Sequence, residues 1–295
     1  MLNWKIKEKI VKKILLLFAF SSILFLTGII IVLFKEGLPI FKEVGLIEFV
    51  FGKEWYPTYE PPDFGILPLL TASLMVTLGA MIIAVPIGIS SAIFISYILP
   101  KRFKNVVKPL VELLAGVPSV IYGLFGMKIL GPYLQRLFDL PTGLTALTAS
   151  IMLGIMALPT IVTLAEDAIN AVPKTFRDAS LALGSTKWET ISRAILPTAT
   201  SGIVTAVILG IGRAIGETMT VLMVAGGAAI IPKSFLVPVR PMTASIAAEM
   251  GEAPVGSEHY HALFGIAIIL FIITLFFNIM ADIAQNSFRK KVTGK

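Results

Sequence analysis

Two ionisable residues lie inside an otherwise apolar stretch of the chain, at residues 198–225. Arg213 and Glu217 are four residues apart, so on a helix their side chains share one face. A charged side chain within a membrane span is costly and by default indicates function. A guanidinium stays charged, and its paired N–H groups match the oxygens of a tetrahedral oxyanion. We therefore predict that Arg213, Glu217 and Thr218 line a path for a small oxyanion.

The same pair has a structural alternative. A salt bridge between Arg213 and Glu217 would hold helices together without contacting a substrate. The order of the two residues favours function, because Glu before Arg suits the helix dipole and here the order is reversed. Gly212 and Gly216 have the spacing that allows close helix packing beside the pair. The sequence alone leaves both interpretations open.

The composition is that of a polytopic membrane protein. The chain has 295 residues, of which 56% are hydrophobic and 15% charged, with a mean hydropathy of +0.88. Soluble domains are more polar than this. The charged residues that give the net charge of +7 lie between the apolar runs, so this charge does not indicate nucleic-acid binding.

The chain contains few of the residues that catalysis and metal binding require. There is no cysteine, and the two histidines, His259 and His261, lack an evident third ligand nearby. No nucleophile–base pair and no Walker A pattern occur. We expect no enzymatic activity, no metal and no cofactor of its own, with any ATP bound by a separate subunit.

Six apolar runs are long enough to cross a bilayer core of about 30 Å. We predict an all-α membrane protein with membrane helices at 14–34, 66–99, 106–134, 143–165, 198–225 and 262–284. Pro86 is expected to kink the second of these helices. In the third, Pro118 predicts either a simple kink or a break. A break would free backbone groups and place Ser119 and Tyr122 on a cavity.

Lysine and arginine residues predict the orientation of the chain. Seventeen of the 25 fall in segments that share one side: 1–13, the connection after the second helix, 166–197 and 285–295. We therefore expect these segments and both termini in the cytoplasm, in the inner cell membrane. Segments 35–65 and 226–261 are then external. The aromatic residues of the first predict an interfacial belt or a docking surface for a partner.

The segment 166–197 is predicted to form two short helices on the cytoplasmic side. The first follows Pro173, and Gly184 occupies the place of a left-handed C-cap. Thr186 and Glu189 have the spacing of a capping box at the start of the second. Pro197 is expected to close that second helix.

This segment resembles the EAA loop of binding-protein-dependent ABC importer permeases. Gly184 and Leu196-Pro197 have the spacing of that motif, in which Asp178-Ala179-Ser180 stands for Glu-Ala-Ala and Ala194 for an isoleucine. The resemblance implies a type I (MetI-like) permease fold. It also implies that the first helix of the loop docks on an ATPase, with coupling residues Asp178, Ala179, Ser180 and Gly184.

A second resemblance covers most of the chain. It is similar to the PstC-type permease of the phosphate ABC importer, and Glu217-Thr218-Met219-Thr220-Val221 favours this subunit over the PstA-type. The resemblance implies a heterodimer with a PstA-type permease, a PstB-type ATPase dimer and an external PstS-type phosphate-binding protein. A sulfate or molybdate permease and an ion-coupled secondary transporter remain as alternatives. The segments that carry the likeness are 64–68, 112–123, 212–219, 242–244 and 249–253.

Overall fold

A computed structural model describes the backbone of residues 4–293, and the side chains of these residues except 4–7, 101 and 287–293. Residues 1–3 and 294–295, in the two predicted cytoplasmic ends, lie outside the described residues. The described part has five helices long and apolar enough to cross a membrane. A bent pair of helices makes a sixth crossing if its two parts count as one span.

The first helix, α1 (Trp4–Glu43), contains the predicted span 14–34 and continues into the segment predicted as an external loop. It packs against the last helix, α13 (Glu258–Thr293). Gly37 permits the contact, because a Cβ at that position would lie 2.9 Å from the carbonyl oxygen of Phe264. The burial of Ile40 extends this packing beyond the apolar run.

The rest of the segment 35–65 is ordered. It contains a short helix, α2 (Leu46–Phe51), and an antiparallel pair of strands, β1 (Trp55–Tyr56) and β2 (Asp63–Phe64). The aromatic residues divide into two groups. Phe49, Trp55 and Phe64 are buried in the protein and pack with α13, whereas other aromatic side chains are exposed.

Three helices form the centre of the molecule: α3 (Leu67–Ile93), α7 (Ala146–Asn170) and α10 (Leu196–Ile215). Ile161 of α7 is fully buried between glycines of the other two. A Cβ at Gly88 or at Gly210 would lie 2.8 Å from the Ile161 side chain. The close packing of the three helices therefore depends on these two glycines.

The third predicted span, 106–134, is a broken helix. It consists of α4 (Lys101–Ala115), α5 (Ser119–Phe125) and, after a π-helical turn, α6 (Gly131–Leu137). The two arms bend by 88° at residues 116–118. Pro118 has no N–H and disfavours helical geometry at the residue before it, which explains a break rather than a kink.

The fifth predicted span is also interrupted. After α10, residues 216–218 leave the helix, and α11 (Met219–Val224) follows. In the other direction, α9 (Lys187–Thr190) joins α10 through a π-helical turn at Ile191–Ile195. The prediction that Pro197 closes this helix is wrong. Pro197 lies in the first turn of α10. The turn before it is wider than an α-helical turn, so the helix continues although proline has no N–H to donate.

Two short helices mark the two ends of the bundle. One is α8 (Lys174–Ala182), and the other is α12 (Met242–Glu249). At the start of α3, Ser73 Oγ accepts a hydrogen bond of 2.9 Å from the backbone N–H of Met242. The other end of α3 runs into a π-helical turn (Phe94–Ile98), and Tyr97 of this turn lies beside α8. We therefore name the two ends the α8 face and the α12 face.

Candidate functional site

The two helix breaks lie against each other, and Arg213 connects them. We call residues 116–118 the first break and residues 216–218 the second break. One guanidinium nitrogen of Arg213 donates to Thr160 Oγ1 of α7 at 2.7 Å. Another donates to the carbonyl oxygen of Ala115, the last residue of α4, at 3.3 Å. Arg213 near the end of α10 thus holds the end of α4, at the first break. Both contacts lie between apolar helices, where free backbone carbonyls need partners.

The predicted salt bridge between Arg213 and Glu217 is not present. Glu217 lies beyond the end of α10, so the two side chains do not share a helix face. None of the ion pairs among the described residues includes Arg213. Its partners are a hydroxyl and a carbonyl, both neutral. The guanidinium therefore has no carboxylate within 4.0 Å among the described residues, and it keeps N–H donors that these two bonds do not use.

Glu217 stabilises the second break. Its carboxylate accepts a hydrogen bond of 3.1 Å from the backbone N–H of Thr220, in the first turn of α11. Its carbonyl oxygen accepts a bond of 2.7 Å from the hydroxyl of Thr243 in α12. In this structure Glu217 therefore caps α11 and is fixed by α12, and it is not the counter-ion of Arg213.

The other predicted pathway residues gather at the same place. The hydroxyl of Thr220 donates to the carbonyl oxygen of Ser119 at 3.0 Å, which joins α11 to α5. Tyr122 donates to the carbonyl oxygen of Leu114 at 3.0 Å, across the first break. Thr218 is half-buried beside the second break. The structure thus brings together all five residues predicted for the pathway: Ser119, Tyr122, Arg213, Glu217 and Thr218.

Three threonines of this junction were missed by reasoning from the sequence. Thr160, Thr220 and Thr243 supply the hydroxyls that connect α7, α5, α10, α11 and α12. Thr220 and Thr243 lie in segments that carry the PstC-type resemblance, whereas the only signal of Thr160 is that it is a polar residue within an apolar helix. The predicted close packing at Gly212 and Gly216 is not seen, since a Cβ at either would meet no atom closer than 3.5 Å.

The segment 166–197 forms a helix, a glycine and a second helix. Gly184 has φ +84°, as the predicted left-handed C-cap requires. The predicted capping box is present, with Thr186 and Glu189 exchanging hydrogen bonds. Of the predicted coupling residues, Asp178 and Ala179 are exposed on α8. The hydroxyl of Ser180 lies 3.1 Å from that of Thr190 and ties α8 to α9.

On the α8 face, a buried carboxylate fastens α4 to α7. Glu166 forms ion pairs with Lys104, at 2.7 Å, and with Lys108. It also accepts a hydrogen bond from Asn170. On α4, Lys108 faces α7, whereas Glu112, four residues further along, is exposed and forms none of the ion pairs among the described residues. We call Glu166 and these partners the Glu166 cluster.

On the α12 face, a second carboxylate joins three distant segments. Glu249, at the end of α12, accepts from Trp55 Nε1 at 3.1 Å and pairs with Arg240. The same oxygen, Oε2, also lies 2.9 Å from His259 Nε2 at the start of α13. We call this group the Glu249 cluster. The described residues contain no group of side chains suited to a metal ion, and His261 contacts the carbonyl oxygen of Glu36 instead.

The family of the chain follows from a match of residues 84–294 to the family described as binding-protein-dependent transport system inner membrane component. These residues make up well over half of the chain. It belongs to that family. The chain is therefore a multi-pass permease of the inner membrane, and the alternative of an ion-coupled secondary transporter is excluded.

Relatives with moderate identity cover nearly the whole permease. The chain is 37% identical to the probable ABC transporter permease protein YqgH of Bacillus subtilis, over 90% of this chain and 86% of the relative. It is 34% identical to the phosphate transport system permease protein PstC of Mesorhizobium japonicum, over 87% of this chain and 83% of the relative. These matches agree with the PstC-type resemblance seen in the sequence.

The fold is also that of a solved importer. The structure is similar to a chain of the bacterial alginate ABC transporter in complex with a pentasaccharide-bound periplasmic protein, with a TM-score of 0.64. The match covers 93% of each chain, and the sequence identity is 14%. At this identity the likeness concerns the fold alone. It confirms the predicted all-α permease fold of ABC importers.

Proposed function

We propose that this permease carries inorganic phosphate, as one of two membrane subunits of an ATP-driven importer. The observation that supports the proposal most directly is the charge of Arg213. It lies at the junction of two helix breaks, and its two hydrogen-bond partners are neutral. The PstC relatives add support for phosphate as the anion.

A fixed cation is what a desolvated oxyanion needs. A phosphate that enters the membrane loses part of its hydration, which costs free energy unless protein groups replace the water. Arg213 offers the charge and paired N–H donors. The breaks offer backbone groups and the side chains of Ser119, Tyr122 and Thr218. Because Glu217 does not neutralise Arg213, the site in this conformation favours an anion.

The proposed partners follow from the same assignment. The α8 face would dock on a PstB-type ATPase dimer in the cytoplasm through the exposed Asp178 and Ala179, while Ser180 and Gly184 hold α8 and α9 in the docking geometry. A PstA-type permease would complete the path, and a PstS-type binding protein would deliver phosphate to the α12 face. ATP would be bound by the ATPase alone. In this arrangement both termini lie in the cytoplasm, as the distribution of lysine and arginine predicts.

The deciding experiment measures the uptake of radiolabelled phosphate by cells in which the Arg213→Gln variant replaces the wild-type permease. We expect uptake to fall about a hundredfold, the usual effect of removing one preorganised electrostatic donor. Membrane levels and co-purified ATPase should stay near wild type. Lys128→Gln is the matched control, since Lys128 is an exposed cation of the same membrane region without an ion pair among the described residues. It should leave uptake unchanged.

Two outcomes would contradict the pathway role. If Arg213→Gln lowered the membrane level of the permease as much as it lowered uptake, the main role of Arg213 would be structural, through its bonds to Thr160 and Ala115. If uptake survived, Arg213 would not be on the path. Unlabelled sulfate or molybdate in excess tests the alternative anions. Either one would suppress phosphate uptake if the path served it equally well.

A further inference from the structure

A small cavity on the α8 face lies between α8, α9 and the end of α3. Its volume is about 70 Å³. A single water needs roughly 15 Å³ of this volume, so the cavity has room for a group of about five heavy atoms. Its polar lining comes from Tyr97, Arg177, Lys187 and Thr190, and three aliphatic side chains complete it.

The lining carries positive charge without an acid. Arg177 and Lys187 are cationic, and no aspartate or glutamate lines the cavity. Neither cation forms an ion pair or a side-chain hydrogen bond with another described residue. The nearest acid in sequence to Lys187 is Glu189, and its carboxylate is already bound by Thr186 in the capping box. The two charges are thus available to an anion.

The cavity lies behind the helix that we assign to ATPase docking. Arg177 and Leu181 line it, and Ser180, between them, contacts Thr190 of α9. The side of helix α8 that carries Arg177, Ser180 and Leu181 is therefore turned toward the body of the permease. Asp178 does not line the cavity. A ligand in the cavity would not need the position of the ATPase.

We propose that this cavity binds a phosphate group. Phosphate oxygens accept charge-assisted hydrogen bonds from a guanidinium and an ammonium, and hydroxyls such as that of Tyr97 can complete the shell. Arg177 is on α8 and Lys187 on α9, on opposite sides of Gly184. A bound phosphate group would therefore join the two helices and fix the angle between them at the glycine.

Two sources offer the same chemistry at this face. One is inorganic phosphate in the cytoplasm, the product of the transport that we propose. It would then restrain the coupling helix when phosphate accumulates, a regulatory role that rests on the proposed function. The other is the headgroup of an anionic phospholipid, which would make the site a structural anchor. The following experiment separates the two sources.

The test is amide hydrogen exchange of residues 174–191 in the purified, nucleotide-free transport complex. One arm adds inorganic phosphate in a neutral detergent, against chloride at equal ionic strength. The other arm compares phosphatidylglycerol with phosphatidylcholine nanodiscs, without phosphate. In the arm that supplies the ligand we expect exchange about tenfold slower, at a ligand concentration ten times the Kd.

Three variants connect any protection to the cavity. Arg177→Gln and Lys187→Gln should abolish the slowing, and Arg177→Lys should keep part of it. Lys174→Gln is the matched control, because Lys174 is an exposed cation of α8 that does not line the cavity. It should behave as wild type.

Protection in neither arm would overturn the proposal, and so would protection that survives both glutamine variants. The exchange measurement does not depend on transport. If wild-type cells took up no phosphate, the proposed function would fail, but loss of protection in Arg177→Gln would still support the cavity. The two failures are thus distinguishable.

Discussion

The Glu166 cluster and the Glu249 cluster each attach a helix to the bundle, at opposite ends of the molecule, but they use different side chains. In each, one glutamate ties a short helix to the bundle: α4 on the α8 face, α12 on the α12 face. The far end of each helix reaches a break. Ala115 of α4 accepts from Arg213, and Thr243 of α12 donates to Glu217. Each break is therefore held from one face of the membrane.

The two clusters differ in burial and in their donors. The side chain of Glu166 is 2% exposed and pairs with two lysines, whereas that of Glu249 is 14% exposed and shares its charge with an indole, an imidazole and a guanidinium. A buried carboxylate that pairs with two lysines is costly to remove, because both cations are left unpaired. A more exposed carboxylate with one arginine, one indole and one imidazole as partners costs less to remove. We therefore expect the α8 face to be the stiffer attachment.

The largest effect should come from Glu166→Ala. Lys104 and Lys108 would lose their shared carboxylate, at a cost of about 2–3 kcal/mol. The measurement is the apparent Tm of the purified complex. Asp167→Ala is the matched control, since Asp167 is on the same helix, 58% exposed and paired only with Lys108. A surface pair of this kind contributes less than about 1 kcal/mol. Equal shifts in the two variants would refute the ranking.

Glu249→Ala should have the next largest effect, about 1–2 kcal/mol, because the side chain of Glu249 is 14% exposed and its ion pair with Arg240 is partly screened by water. The apparent Tm is again the measurement. Glu252→Ala provides the control, because Glu252 is exposed and lines a cavity on the α12 face that Glu249, Arg240 and His259 also line. If Glu249→Ala cost more than Glu166→Ala, the comparison between the two faces would be reversed.

Thr243→Val tests the connection between α12 and the second break. The substitution keeps the shape of the side chain and removes the hydroxyl that donates to Glu217, at a cost of about 1 kcal/mol. We expect faster hydrogen exchange at residues 216–224 and reduced phosphate uptake at normal membrane levels. Thr200→Val is the control, because that hydroxyl bonds only within its own helix. Unchanged exchange would show that α12 does not hold the break.

Tyr122→Phe should have the smallest effect, about 0.5–1 kcal/mol, since it removes one hydrogen bond across the first break while Arg213 still holds Ala115. Exchange at residues 113–120 is the measurement. Tyr133→Phe, on an exposed tyrosine of α6 with no such bond among the described residues, serves as the control. A larger effect than that of Thr243→Val would mean that the first break is the weaker one.

Local rules predicted much of the segment 166–197. The left-handed Gly184 and the Thr186–Glu189 capping box depend on neighbours within a few residues, so spacing alone defines them. The same rules failed at Pro197. Its helix-breaking tendency was absorbed by a π-helical turn, which depends on how α9 and α10 pack.

The sequence by itself determined the membrane class and the helical fold, and it singled out Arg213 as a candidate. Apolar runs must become helices in lipid, and a charge among them must have a use. Only the tertiary structure decided what Arg213 contacts. Helical spacing placed Glu217 beside it, but the break at residues 216–218 separated the two. Thr160 and Ala115 reach Arg213 through the packing of α7 and α4, and no local pattern encodes contacts between residues so distant in sequence.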